Sequence, residues 1–154
     1  MKYTIAGSLI VLLLGCTSTS HQSSTEYGVA ERVQLSDQQK KTLERFPPKY
    51  PTRVASSGIE GCATIEYVVT PDFEVQDVNT LVASNPLFAT EAQKVIKKWR
   101  WENLASDFKT GPLKFQTRFE YCLENGSGRC SMNTLLNKTQ CSGNDVVPSV
   151  GMQM

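Results

Sequence analysis

The order in which hydrophobic periodicity changes along the chain limits the fold more than any other feature. Over residues 62–69, Ala63, Ile65, Tyr67 and Val69 fall on one side and Cys62, Thr64 and Glu66 on the other, the pattern of a half-buried strand. Thr70-Pro71-Asp72 then reads as a turn, because Pro fixes φ and Asp bonds its own backbone. A second strand is predicted over 74–82, with Val75, Val78, Leu81 and Val82 apolar and an imperfect alternation that implies a bulge. Asn85-Pro86 opens a helix, Asn as cap and Pro at the first position. Phe88, Ala92, Val95, Ile96 and Trp99 recur as one helical stripe, while Lys94, Lys97 and Lys98 crowd the last turn, where positive charge suits the helix dipole. After the Gly111-Pro112 loop a third strand runs over 113–123. Phe115, Thr117, Phe119 and Tyr121 share one face, and Gln116, Arg118, Glu120 and Cys122 the other. Strand, strand, helix, strand, with one apolar sheet face under one amphipathic helix, defines an α+β two-layer fold.

The flanking segments are of another kind. Ser36 caps a short helix over 36–45, with Gln39 at the capping-box position and Pro47-Pro48 ending it. The N-terminus reads as a targeting segment: Lys2, an apolar run over 5–14, then Leu13-Leu14-Gly15-Cys16. The run is shorter than the about 20 apolar residues that span a bilayer. It matches a bacterial lipobox, in which the Cys16 thiol takes a diacylglyceryl group and cleavage frees its amine for a further acyl chain. Several chains on one residue anchor stably. Thr17 and Ser18 stand where inner-membrane retention uses Asp, which favours the periplasm-facing leaflet of the outer membrane. Residues 17–25 are a polar tether. The expected organisation is a signal peptide over 1–15, lipidated Cys, tether and short helix over 16–46, a domain over 47–124, and a Gly/Ser-rich extension over 125–154.

The 154 residues carry 16 basic and 15 acidic side chains, a net charge of +1 that gives no reason to expect nucleic acid as a partner. With Cys16 set aside, Cys62, Cys122, Cys130 and Cys141 form an even set suited to an exported protein, with three possible pairings. There is no Cys-x-x-Cys, and the one histidine, His21, lies in the tether, so no metal site or dithiol chemistry is expected. Nor is there a Gly-x-Ser-x-Gly, a His-Glu-x-x-His or a phosphate loop. No catalytic residue, cofactor or small-molecule substrate is expected.

A set of residues in order carries a resemblance: Tyr50-Pro51, then Gly58-Ile59-Glu60-Gly61, Val78, Ser84, Phe88 with Ala92 and Ile96, Trp99-Arg100-Trp101, and Gly111-Pro112. From about residue 48 to 123 the chain resembles the C-terminal domain of TonB-type energy transducers. The resemblance implies a three-stranded antiparallel sheet packed on one helix (β-β-α-β), with the first and last strands side by side. Cys62 then comes level with Cys122, which implies a Cys62–Cys122 bridge and leaves Cys130 to pair with Cys141. It also implies that the last strand is an open edge. Leu113, Lys114, Phe115, Gln116, Thr117, Arg118, Phe119, Glu120 and Tyr121 would accept an extended peptide, the TonB box of an outer-membrane transporter. Gln116, Arg118 and Glu120 would point outward, as selectivity contacts or as gatekeepers of the edge. Trp101, just past the helix, would be a surface anchor, and Arg100 would meet a partner carboxylate or the helix end. Asp72-Phe73 stands where the family has Asp-Gly. Phe does not take positive φ cheaply, so a different turn is expected. The alternative to a transporter partner is another cell-envelope protein, gripped by a structural or assembly lipoprotein.

Overall fold

The structure is a computed structural model that describes residues 30–108 and 111–152. The signal segment, Cys16 and the tether at 17–25 lie outside the described residues.

The predicted α+β frame is present. Strands β2 (Gly61–Val69) and β3 (Val75–Ala83) form an antiparallel hairpin. Helix α3 (Pro86–Ile96) follows, capped by the Asn85 side chain, which accepts from the Leu87 N–H at 2.9 Å. β4 (Leu113–Glu124) then pairs antiparallel with the whole of β2, Gly61 opposite Tyr121 and Val69 opposite Leu113. Side chains predicted on one face meet in one core: Ala63, Ile65, Tyr67, Phe115, Phe119 and Tyr121 from the sheet pack against Phe88, Ala92, Val95 and Ile96 from α3. Each fully buried aliphatic or Phe side chain stabilises by roughly 1.5–3 kcal/mol over its exposed state. The Phe88 ring stacks on Tyr121 at 4.1 Å, and the Tyr121 hydroxyl donates to the Phe88 carbonyl at 2.8 Å.

α3 ends three residues before the predicted stripe does. Trp99 is nevertheless buried, and its indole N–H donates to the Phe46 carbonyl at 3.0 Å. A 3-10 stretch (Trp101–Phe108) follows, irregular at Leu104. The turn at Phe73 corrects the expectation of a changed geometry. Phe73 takes φ 65°, the conformation a glycine would take, and its ring packs edge-on against Phe108 at 5.8 Å. Left-handed backbone at a residue with a Cβ costs roughly 1–2 kcal/mol, and ring burial offsets it.

Five elements lie outside that frame. β1 (Glu31–Arg32) and β5 (Val146–Met152) both run parallel to β4, so the sheet is mixed and five-stranded, in the order β1-β4-β2-β3 with β5 also on β4. α1 (Asp37–Thr42) has the predicted capping box: the Ser36 N–H donates to Gln39 Oε1 at 2.8 Å and the Gln39 N–H to Ser36 Oγ at 3.2 Å. It stops short of Arg45, because Glu44 turns to φ 52°. α2 (Thr52–Ala55) is one turn before β2, and α4 (Met132–Leu136) lies in the C-terminal extension. Residues 31–43 therefore belong to the folded body rather than to a tether.

Gly61 has a steric reason to be glycine. A Cβ there would lie 1.9 Å from Ser84 Oγ and 2.9 Å from the Phe88 ring. That hydroxyl is committed, accepting from the Cys62 N–H at 2.9 Å. Gly61→Ala is expected to cost about 1–3 kcal/mol by overpacking, read as a lower urea midpoint at unchanged m. A neutral result would mean that Ser84 moves away freely.

Candidate interaction surface

The sequence reading placed the binding edge on β4 from Leu113 to Tyr121. In the fold, β4 is an interior strand. β2 covers one edge from Leu113 to Tyr121, and the other is taken by the chain itself. β1 pairs with Leu113 and Lys114, and β5 pairs with Arg118 through Glu124, which includes Phe119, Glu120 and Tyr121. The Val33 N–H donates to the Lys114 carbonyl at 2.9 Å, and the Arg118 N–H to the Asp145 carbonyl at 2.8 Å. Only the short stretch Phe115-Gln116-Thr117 is bracketed rather than paired on that side. β3 is now an outer strand. It carries exposed Leu81 and is kinked at Asp77, whose φ is 48°. Such irregularity shields an edge from strand addition.

The second correction concerns the face of β4 away from α3, where Arg118 and Glu120 were expected to point outward. Both are buried, 5% and 1% exposed, beneath the C-terminal extension. The Arg118 guanidinium donates to four carbonyls: Lys138 at 2.9 Å, Cys141 at 3.0 Å, and Leu135 and Leu136 at 3.2 Å. It thus gathers the last turn of α4 and the loop after it onto the sheet. Its Nε lies 3.3 Å from Glu120 Oε1, an ion-pair distance without hydrogen-bond alignment. Burial raises the Glu120 carboxyl above its ordinary value, against the pull of Arg118 and Lys138. Gln116 is half-buried beside Gly143. These side chains work as internal fasteners.

The disulfides differ from the implied pairing. Cys62 bonds Cys141, and Cys122 bonds Cys130. The alternation had placed Cys62 and Cys122 on one face correctly. The register had not, because Cys62 stands opposite Glu120, two residues short of Cys122. Each sulfur finds its partner in the extension lying over that face. Glu60 also approaches the Cys122–Cys130 pair, whose sulfurs are committed to each other. The Glu60 carboxylate accepts from the Leu123 N–H at 2.6 Å and from Arg129 at 2.9 Å.

The motif residues are structural in their contacts. Trp101 was expected at the surface, yet it is 1% exposed, and its indole N–H donates to the Ile96 carbonyl at 3.0 Å. Arg100 is the exposed member of the trio and pairs with Glu44 at 3.3 Å. Tyr50 lies edge-on to both Phe88 and Tyr121, and its hydroxyl donates to the Ile59 carbonyl at 2.7 Å. Burial, helped by Glu60, pushes its pKa up to about 12. Pro51 caps α2 without a side-chain bond.

Sequence reasoning missed a polar network around Asp145. Its Oδ2 accepts from Arg45 at 2.6 Å and from Thr117 Oγ1 at 3.0 Å, and its Oδ1 lies 3.5 Å from Lys40. Thr117 in turn meets the buried Tyr67 hydroxyl at 3.1 Å, and Arg45 lies over the Trp99 ring. The network binds α1 and the start of β5 to the middle of β4. A second missed residue is Glu124, which accepts from the N–H groups of Asn125, Gly126, Gly128 and Cys130. The Cys130 bond leads in lowering its pKa. A depressed carboxyl stabilises the loop above its ordinary pKa, and the effect is lost as pH falls through the depressed value. The amide shifts of Gly126, Gly128 and Cys130 should titrate together, below the midpoint of an exposed glutamate. A midpoint at or above that of exposed glutamates would remove this role.

The region from Pro47 to Leu123 matches the family described as Gram-negative bacterial TonB protein C-terminal, over residues 47–123. The chain belongs to the TonB C-terminal family. Protein TonB of Escherichia coli (strain K12) is 35% identical over 63 residues, 40% of this chain and 26% of that protein. Protein TonB of Pseudomonas aeruginosa is 32% identical over 76 residues, 49% of this chain and 22% of that protein. The chain thus spans about a quarter of the length of the curated relatives it matches. The solution NMR structure of the Pseudomonas aeruginosa TonB CTD is similar at 24% identity and a TM-score of 0.43, covering 51% of this chain and 80% of that one. The TonB family is non-enzymatic and faces the periplasm in the cell envelope. β1, α1, α4 and β5 lie outside the TonB-matched residues. Among the described residues no helix is long and apolar enough to cross a membrane.

Proposed function

We propose that this chain is a lipid-anchored, periplasm-facing protein-binding module, accessory to TonB-dependent transport across the outer membrane. The observation that carries the reading is family membership over residues 47–123. The lipobox at Leu13-Leu14-Gly15-Cys16 supports an anchor on Cys16, and Thr17-Ser18 supports the outer membrane. On this reading residues 1–15 are removed, 47–124 form the binding domain and 125–154 are its cross-linked extension.

The partner is an outer-membrane transporter that offers an extended segment. The test is titration of isotope-labelled oxidised protein of residues 17–154, which keeps β1, with TonB-box peptides of the host's own transporters. A saturable shift of β4 or β5 amides supports the reading, and silence at millimolar peptide sinks it. Radiolabelled palmitate should enter the wild-type chain in cells and not Cys16→Ser. Label retained by that variant would place the lipid elsewhere.

One observation favours a second reading, a structural lipoprotein that grips another envelope protein. The edge of β4 is already filled by β5, so a partner could use the outer surface of the extension instead. Such a complex would survive an excess of TonB-box peptide.

A further inference from the structure

The face of β5 turned away from the main core carries side chains that the fold leaves uncovered. Val147 enters the core, the Ser149 hydroxyl donates to the Pro48 carbonyl, and Gly151 lies against Leu123 and Tyr50, so the odd positions of β5 point inward. Alternation puts Val146, Pro148, Val150 and Met152 on the other face. Val146 and Pro148 line an open groove of about 480 Å³ together with Met132 of α4 and with Lys40, Lys41 and Arg45 from α1 and the residues after it. Val150 and Met152 continue the strand beyond the groove at 50% and 71% exposed, and Met132 is 44% exposed. Lys40 and Arg45 pair with Asp145, and the groove's acid, Glu44, pairs with Arg100. Lys41 is exposed and has no ion pair among the described residues. An apolar patch with a cationic border suits the headgroup region of a bilayer that contains anionic lipid.

The chain enters the folded body on the same side. β1 pairs with β4 at Leu113 and Lys114, on the edge that β5 occupies from Arg118 onward, whereas β3 lies at the far side of the sheet. α1 follows β1 and supplies Lys40 and Lys41. Because residues 31–43 are folded, residues 17–29 alone lie between Cys16 and Ala30, and at full extension they reach at most ~50 Å. A link that short holds the domain near an anchoring surface at an effective concentration in about the millimolar range, where weak affinity is enough. We propose that the outer face of β5 is a membrane-docking surface. With Cys16 in the bilayer, Met132, Val150 and Met152 enter the headgroup layer and Lys41 meets anionic phosphate. The proposal rests on the lipid-anchor part of the proposed function. It also orients the domain, because α3 packs on the opposite face of the sheet and β3 lies at its far edge, so both turn toward the periplasm.

The test uses isotope-labelled chain of residues 16–154 with both bridges oxidised. The four described cysteines are bridged, so Cys16 is the remaining thiol. It is coupled to a maleimide phospholipid, which makes a thioether at Cys16 Sγ, in nanodiscs of phosphatidylethanolamine and phosphatidylglycerol. A nitroxide on the lipid headgroups should broaden the amides of Lys41, Met132, Val150 and Met152 most, and those of α3 and β3 least. Met132→Glu with Met152→Glu should abolish that contrast. If the pair disturbs α4, Met152→Glu alone decides. Without the coupling, Lys41→Ala should lower partition of the 17–154 chain into vesicles of the same lipids about fivefold. Broadening that is uniform, or strongest on β3, overturns the proposal, as does an unchanged partition of Lys41→Ala. Shifts at the same residues when the lipid-free chain is concentrated make a second copy the occupant and overturn it as well. So do shifts there with a TonB-box peptide in place of lipid. The chemical coupling makes the outcome independent of lipidation in cells. Patterned broadening supports the docking face even where Cys16→Ser retains palmitate, and uniform broadening removes it even where Cys16 is the lipidated residue.

Discussion

Replacing Cys62 and Cys141 together by Ala should lower the unfolding free energy by about 4.5 kcal/mol, the loop-entropy value for a closure near 80 residues. The bridge spans a sequence separation of 79, and both sulfurs are buried. The Cys122–Cys130 bridge closes a separation of only 8, for which the same relation gives a loss of about 2.5 kcal/mol on replacement. The ordering is the sharper expectation, since strain and residual structure shift both values. Urea unfolding of the two double variants, each with its remaining bridge oxidised, measures it. The slope m should rise more for the Cys62/Cys141 variant, because its unfolded chain expands more. A larger loss for the Cys122/Cys130 variant, or a proteolytic fragment linking Cys62 to Cys122, would refute the pairing and the seating of the extension that depends on it.

Arg118→Met is the second large effect, expected to cost about 3–5 kcal/mol. The substitution keeps an apolar stem but removes the donors that hold four carbonyls of the extension. It also leaves the Glu120 carboxylate buried with Lys138 as its remaining source of positive charge. pH dependence separates the two losses. Glu120 already has a raised pKa, and losing Arg118 raises it further. A raised carboxyl pKa adds stability below the unfolded value that is lost as pH rises through the folded one. The deficit of Arg118→Met against wild type should therefore be smaller at pH 4 than at pH 7. A deficit that does not change with pH would assign the whole effect to the carbonyls. Adding Glu120→Leu should recover only the charge-related part, since the four carbonyls still lack donors.

Legibility of the fold followed the range of the interactions involved. The Ser36–Gln39 capping box, the Asn85-Pro86 helix start and the alternations in β2 and β4 depend on neighbours two to four residues away, and all are in the structure. β5 carried a weak signal: Val146, Val147 and Val150 after the turn residues Gly143-Asn144-Asp145, interrupted by Pro148 and Gly151. Proline within a run argues for an edge strand, the place β5 occupies. Arg118 and Glu120 alternate with Phe119 as solvent-facing residues would, and nothing local reveals that a segment beyond residue 130 lies over them.

The sequence by itself determined the α+β frame, the core faces of β2 and β4, the helix start and family membership, because periodicity and capping act within one element. Tertiary structure alone decided which cysteines meet, that Trp101 is buried, and that the edge of β4 is filled from within the chain. Those outcomes are competitions between segments far apart in sequence. Register, strand order and the cover on the second sheet face settle them, and alternation is identical for a strand that is covered and one that is not.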